Sequence, residues 1–211
     1  VILTVTDAAG NSSTCEATVT VHYSVDPNPA VTPDNTVICN GGTINLALTS
    51  QIPSTTWTWH VNSPAGITGT SDDNSAQQLT YHITPRVYGA CDLEQITASV
   101  RVNPTPVIEA NSADTILCYG DATVINIHNM NPHVKGKWVY DLQVEAEPGI
   151  SGFSASSRQT SPTDLTERLF NTATSDRKVV YSFTPRIILP DGSQECEGET
   201  VTVTLTVHPL L

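Results

Sequence analysis

The chain has 211 residues, a formal net charge of −12 at pH 7 and only 14% charged residues. An acidic chain with so few lysines and arginines is a poor candidate for binding nucleic acid or anionic lipid, because both attract cationic surfaces. No apolar run approaches the roughly 18 residues that a membrane-spanning helix needs, so we expect no membrane insertion.

The first segment of the chain predicts a β-hairpin. Residues 1–6 and 15–21 alternate between apolar and polar side chains on either side of a turn at residues 7–11. A single hairpin buries too little surface to fold alone, so we interpret residues 1–25 as the last two strands of a truncated domain. The lack of an initiator methionine and of a signal peptide favours a fragment of a longer polypeptide.

The rest of the chain contains one pattern twice, as a first repeat (residues 26–104) and a second repeat (residues 105–211). The strings TVICNG, YHITPR and TASVRVNP of the first repeat return as TILCYG, YSFTPR and TVTLTVHP in the second. Proline-rich joints at residues 26–29 and 103–106 are short and stiff, and they hold neighbouring domains in an extended relation. Repeats of this length are typical of chains built for reach or display.

Both repeats predict short strands with one buried face. We expect this face to contain an aromatic strand, formed by Trp57, Trp59 and Val61 in the first repeat and by Trp138, Tyr140 and Leu142 in the second. About seven short strands per repeat, with a Trp on an inner strand, indicate tandem immunoglobulin-like Greek-key β-sandwiches of the all-β class.

The second repeat is longer than the first in one region. Cys39 and Cys118 lie 79 positions apart but Tyr81 and Tyr181 lie 100 apart, so 21 residues have been inserted between these points. We expect an expanded loop region at about residues 151–176, because folds tolerate insertions on surface loops. Residues 161–174 could form a helical turn there.

The five cysteines follow the repeat. Each repeat has one cysteine before an early strand, Cys39 or Cys118, and one before its last strand, Cys91 or Cys196. Pairing within repeats predicts the disulfides Cys39–Cys91 and Cys118–Cys196, each contributing about 4 kcal/mol on the chain-entropy model. Cys15 is left without a partner. Metal binding is the weaker interpretation, since no CxxC spacing is present. Disulfides imply an oxidising, extracytoplasmic environment.

Two further sites are weaker hypotheses. Asp72, Asp73 and Asn74 place three oxygen-bearing side chains in one loop, as a calcium site would require. The second repeat has no matching carboxylates, however, which favours a solvated turn. Thr115, in the triplet DTI, resembles a short bacterial O-glycosylation signal.

Catalysis is not indicated. No GxSxG, HExxH or P-loop motif occurs, so we assign no catalytic residue and expect no enzyme. Exposed tryptophans could form a sugar-binding platform, although their alternation with polar residues is more typical of a core.

The motifs resemble known extracellular modules. The string LTVTDAAGN, followed by TC and TVTV, is similar to the end of a HYR domain, and the two repeats resemble PKD-like repeats. Such repeats fill very large surface proteins of Bacteroidota, including SprB-type adhesins of gliding bacteria. The resemblance implies export by type IX secretion and a role in attachment or gliding.

These observations predict a non-enzymatic segment of a cell-surface adhesin, acting as a stiff stalk or display module. It would be extracellular and associated with the outer membrane through other parts of the protein. Its expected partners are neighbouring repeats of the same chain and a surface polysaccharide or another extracellular ligand. The alternative is an accessory carbohydrate-binding or spacer region of a secreted enzyme. A third hypothesis makes the insertion of the second repeat a partner-docking element.

Overall fold

The computed structural model describes residues 1–19, 27–63, 76–87 and 91–210, with only the backbone of Cys91. All helix and strand structure in these ranges is β-strand, so the all-β prediction is confirmed. The helical turn considered for residues 161–174 is wrong, because that stretch contains two strands. The described residues include no helix long and apolar enough to cross a membrane.

The N-terminal hairpin consists of β1 (Ile2–Thr6) and β2 (Ser12–Glu16), paired antiparallel so that Leu3 lies opposite Cys15. The carboxylate of Asp7 closes its turn, because it accepts hydrogen bonds from the backbone N–H groups of Ala9 and Asn11 at 3.0 and 2.8 Å. Every side chain of the two strands is exposed, which agrees with a hairpin that has no core of its own.

The described residues of the first repeat form seven strands in two sheets. They are β3 (Ala30–Thr32), β4 (Asn35–Cys39), β5 (Ala47–Thr49), β6 (Thr56–Asn62), β7 (Gln77–Val87), β8 (Cys91–Asp92) and β9 (Ile96–Asn103). The larger sheet has the order β4-β9-β7-β6 with β8 paired to β7, and the smaller sheet pairs β3 with β5.

In the second repeat, residues 105–210 form eleven strands. They are β10 (Ile108–Ser112), β11 (Ile116–Leu117), β12 (Ala122–Asn129), β13 (Lys137–Ala146), β14 (Ile150–Ser151), β15 (Ser157–Gln159), β16 (Leu165–Arg168), β17 (Phe170–Asn171), β18 (Arg177–Ile188), β19 (Glu195–Glu197) and β20 (Val201–Val207). The larger sheet has the order β11-β20-β18-β13-β15 with β19 paired to β18. It faces a three-stranded sheet, β10-β12-β16.

The two repeats share one register. In each, an early strand runs parallel to the last strand: Ile38 lies opposite Val102, and Leu117 lies opposite Val207. In each, a short strand also folds back on the long central strand, which places Cys91 opposite Val87 and Cys196 opposite Ile187. The matched cysteines therefore occupy equivalent backbone positions.

The best-formed core lies between the sheets of the second repeat. Trp138, Tyr140 and Leu142 are buried there as predicted, beside the fully buried Tyr181 and Phe183. Side chains of this size dominate the free energy of folding, at about 1.5–3 kcal/mol for each one fully buried.

The corresponding prediction for the first repeat is wrong at two of its three positions. Trp57 is half-buried, but Trp59 is 64% exposed and Val61 is 37% exposed. Among the described residues, the facing sheet of this repeat has only two strands of three residues each, and β6 lies at the edge of the larger sheet. The described part of that sheet therefore leaves one face of β6 uncovered.

The insertion of the second repeat builds strands and core instead of the expected loop. β16 forms the third strand of the facing sheet. The inward-facing residues of β16 and of the chain that follows it are Glu167, Leu169 and Asn171, all at most 3% exposed. The amide of Asn171 donates to the carbonyls of Ser175 and Val207 at 2.9 and 2.8 Å. Two polar residues in a period-two inward row concealed this strand from a reading based on hydrophobicity.

Candidate functional site: the junction between the repeats

The cysteines of each repeat lie at opposite ends of its sheet. Cys118 follows Leu117, which is aligned through Val207 with Arg177 at the start of β18, whereas Cys196 is opposite Ile187, ten residues further along β18. Ten residues of strand span about 33 Å. A disulfide needs Cα atoms about 4.4–6.8 Å apart, so Cys118 cannot bond to Cys196 of its own repeat.

The first repeat has the same geometry. Cys39 and Val102 lie at the end of the sheet where β7 begins, and Cys91 is paired to Val87 at the other end of β7. The predicted pairs Cys39–Cys91 and Cys118–Cys196 are therefore wrong. Sequence reasoning assumed that a repeat closes on itself, and it did not follow which end of the sheet each cysteine occupies.

The structure instead contains a disulfide between the repeats. Cys39 is bonded to Cys196 with a Cα–Cα distance of 5.3 Å, across 157 positions of sequence. On the chain-entropy model a loop of this length contributes about 5 kcal/mol. The disulfide thereby joins the end of the first repeat's sheet, where β9 finishes, to the β18–β19 hairpin of the second repeat.

A buried amide reinforces the junction. Asn103 is fully buried, donates to the carbonyl of Lys135 at 2.7 Å and accepts from the N–H of Lys135 at 2.8 Å. Asn103 is the last residue of β9, and the second repeat covers this strand end. Gly136 lets the Lys135 loop lie against the hairpin, because its φ is +118° and a Cβ there would collide with the carbonyl of Ile188.

Apolar contact completes the interface. Val37 and Cys39 of the first repeat pack against the core cluster of the second, and Pro104 and Pro106 of the joint are buried. The Ala76 N–H also donates to the carbonyl of His133 at 3.0 Å. Beside these contacts lies an open cleft of about 410 Å³, lined by Asn35, Thr36, Val37, Arg101, Lys135, Pro190 and Asp191. The joint is therefore a packed interface as well as a linker.

An ionic network holds the hairpin that carries Cys196. Arg158 forms bidentate hydrogen bonds to Asp141, at 2.6 and 3.0 Å, and to Glu195, at 2.6 and 3.1 Å. Arg186 reaches Asp141 at 2.7 Å and Glu197 at 2.7 Å. The two glutamates flank Cys196 on β19, so the network fixes the short strand from both sides of the cysteine.

The charges of this network stabilise one another. The hydrogen bond from Arg158 lowers the pKa of Asp141 below its usual value, and the bond from Arg186 acts in the same direction against partial burial. The first repeat has a simpler version, in which Arg86 pairs with Asp92 at 2.6 Å. No motif in the sequence marks Glu195 and Glu197, because their role depends on the arginines that the fold brings beside them.

The junction disulfide, Cys39–Cys196, contains none of the other predicted site residues. Asp72, Asp73 and Asn74 lie outside the described residues. Cys15 and Cys118 are exposed free thiols. Thr115 is exposed, and its carbonyl accepts from the N–H of Thr206 at 2.8 Å. Within the described ranges, no three His, Cys, Asp or Glu side chains are grouped so as to hold a metal ion.

The first repeat also has an aromatic cleft on its open face. The rings of Trp59 and Tyr81 are 6.3 Å apart, at an angle of 49°. They border a cleft of about 220 Å³ whose other walls are Ile44, Leu46, Leu48 and Ile83. Its lining is predominantly apolar.

One protein-family model matches the segment of the second repeat that contains β11, the β18–β19 hairpin and β20. Residues 115–210 match the family model of the PKD-like domain. With the all-β sheets, this PKD-like match establishes an immunoglobulin-like β-sandwich repeat. No curated protein matched the chain by sequence.

Several solved structures superpose loosely on the chain that carries the PKD-like match. The D00-D0 domain of intimin is 8% identical, with 82% of this chain and 97% of that one covered at a TM-score of 0.33. Human mucin-like protocadherin EC1-2 is 13% identical, with 88% and 99% covered at 0.34. A SusE-like surface-located polysaccharide-binding protein from the Bacteroides thetaiotaomicron heparin utilisation locus is 8% identical, with 97% and 41% covered at 0.31.

Proposed function

We propose that this chain is a non-enzymatic, extracellular spacer in which PKD-like domains are joined rigidly end to end, as the stalk or display segment of a bacterial surface adhesin. The observation that carries the proposal is the junction, where the Cys39–Cys196 disulfide, the Asn103 amide and buried prolines all hold one repeat against the next. A binding or catalytic domain needs no such fixed end-to-end contact, whereas a spacer does.

The proposal includes the domain division, with a separate hairpin segment at residues 1–25 and sandwiches at 26–104 and 105–211. No described strand pairing crosses between these segments. The cross-repeat disulfide supports an oxidising, extracellular location, since cytosolic thiols are kept reduced.

Small-angle X-ray scattering tests the rigid spacer. We expect the oxidised protein to fit a single extended arrangement of the two repeats, and Cys39→Ser/Cys196→Ser to show a broader range of arrangements. The matched control is Cys15→Ser/Cys118→Ser, which removes two cysteines outside the junction and should leave the scattering unchanged. A wild-type protein whose repeats sample many orientations would contradict the proposal.

The finer assignment is to attachment or gliding of a Bacteroidota cell, with export by type IX secretion. It is supported by the sequence resemblance to SprB-type adhesins and by a stalk-like architecture. In the native cell, replacing residues 27–210 by a Gly/Ser segment of equal length should reduce attachment or colony spreading, because a flexible coil is far shorter on average than a stiff rod. Unchanged attachment and spreading would remove this assignment.

A carbohydrate-binding module of a secreted enzyme is the second candidate, favoured by the exposed Trp59 beside Tyr81. Exposed aromatic faces stack on apolar faces of ligands. The scattering samples can be passed over immobilised polysaccharides: retention that Trp59→Ala abolishes would favour this candidate, and the absence of retention favours the spacer.

A further inference from the structure

Three positions at the end of the first repeat's sheet where β9 finishes have counterparts in the second repeat. The shared strand register pairs Val37 with Ile116 and Ile38 with Leu117, which aligns Cys39 with Cys118. Along the last strand, Asn103 corresponds to His208, since Val102 and Val207 occupy matched positions. The same end of the sheet is therefore present twice in the chain.

In the first repeat, the next repeat covers this end. Val37 and Cys39 pack on the core of the second repeat, Asn103 is fully buried, and Cys39 is bonded to Cys196. The Asn103 amide contacts the Lys135 loop and the Cys39 sulfur is bonded to the β18–β19 hairpin, so both features lie at the end of the second repeat that faces the first.

In the second repeat, the same end is open. Ile116 is 64% exposed, Cys118 is an exposed free thiol, and His208 is exposed, with Nδ1 2.7 Å from Asp176. An exposed free thiol in a secreted protein suggests a disulfide partner outside its own unit. A further repeat that packed on this end, as the second repeat packs on Val37 and Cys39, would cover both Ile116 and Cys118.

We propose that Cys118 forms the next inter-repeat disulfide of the array, with the hairpin cysteine of a following PKD-like unit placed as Cys196 is here. This inference rests on the proposed end-to-end function. Cys118 cannot reach Cys196 of its own repeat, about 33 Å away along the sheet, so its partner must come from outside the repeat. The exposed Ile116 is the apolar part of the same docking surface.

The bond forms by oxidation of two thiols. Cys118 and the incoming cysteine lose two protons and two electrons to a disulfide oxidant, such as a thiol–disulfide oxidoreductase, which is reduced to a dithiol. In the test below the oxidant is glutathione disulfide, which gives two molecules of glutathione for each protein disulfide formed.

A fusion protein tests the inference with a unit already shown to accept such a bond. Residues 105–211 are appended directly after Pro209, so that the new joint reproduces the Pro104–Thr105 junction. In the appended copy, Cys118→Ser removes the second candidate thiol, and Ser193→Thr, at an exposed position, marks the Cys196 peptide by mass. The fusion is oxidised with glutathione disulfide and mapped by non-reducing peptide mass spectrometry.

We expect two inter-repeat disulfides, Cys39 to the original Cys196 and Cys118 to the appended one. In a control fusion that also carries Cys118→Ser in the original copy, the appended Cys196 should remain alkylatable while Cys39–Cys196 is retained. Thermal unfolding of both fusions checks that the appended copy is folded.

The outcomes separate the two proposals. A retained Cys39–Cys196 bond with Cys118 still free, or with Cys118 joined to a second molecule, would overturn this inference alone. Loss of the Cys39–Cys196 bond from a folded fusion would overturn the proposed junction and with it the spacer function.

Discussion

At the residue scale, the core of the second repeat contains an acid that its surroundings disfavour when charged. Glu167 is 3% exposed, and its carboxylate accepts one hydrogen bond, from the Ser154 N–H at 3.2 Å. Burial raises the pKa of Glu167 above its usual value. Burial and the charge of Glu167 also raise the pKa of Tyr181, whose hydroxyl makes no hydrogen bond to the described residues.

Replacing this acid should stabilise the protein at neutral pH. A raised folded-state pKa means that the folded protein binds the proton more tightly, so stability falls as pH rises from the unfolded pKa, about 4.3, through the folded one. Glu167→Gln keeps the acceptor for Ser154 without the charge. We expect it to gain about 1 kcal/mol at pH 7 in urea unfolding and to match the wild type near pH 3.

The control is Glu109→Gln, at an exposed position on the facing sheet, which makes the same change of charge in solvent and should have little effect at either pH. Destabilisation by Glu167→Gln at pH 7 would show that the carboxylate is stabilising where it lies.

At the element scale, the smallest strand of the second repeat depends on side chains as well as on its ladder. β19 has three residues, and it is held by Arg158 and Arg186 through Glu195, Glu197 and Asp141. Asp141 accepts from both arginines, so its loss should loosen the hairpin that carries Cys196.

Asp141→Asn should lower the free energy of unfolding by about 1–2 kcal/mol at pH 7, since charge-assisted bonds are partly screened at a half-exposed site. Because the folded pKa of Asp141 is lowered, its contribution is present above the unfolded pKa, about 3.9, and is lost as pH falls through the folded value. The difference from wild type in urea unfolding should therefore vanish near pH 2. Asp114→Asn, in an exposed turn, is the matched control; an equal loss there would remove the role assigned to the network.

Strands with an apolar inward row were predictable from the sequence. The row Trp138, Tyr140 and Leu142 predicted a buried strand, and the structure buries all three side chains. Glu167 and Asn171 did not, because polar residues in an inward row look like a loop. The disulfide partner of Cys39 could not be predicted from local sequence patterns. It depends on which end of a sheet each cysteine occupies and on which cysteine of the next repeat lies at that end.

At the scale of the whole molecule, the two repeats form a continuous structure because their facing ends pack against each other. Asn103, Val37 and Cys39 have no complete set of partners within the first repeat, and they find them in the second. Stability is then shared between nearest neighbours, as in other repeat arrays.

The disulfide across the junction also determines how the molecule would respond to mechanical force. When the chain is pulled from its two termini, tension passes from Cys39 directly to Cys196 and bypasses the chain between them, a sequence separation of 157. At about 3.3–3.6 Å per extended residue, roughly 520–565 Å of contour length stays locked. Single-molecule stretching should recover that length only after reduction, and full extension of the oxidised chain would contradict it. A chain cross-linked in this way can unfold at its two ends under a strong pull and still not lengthen through its middle.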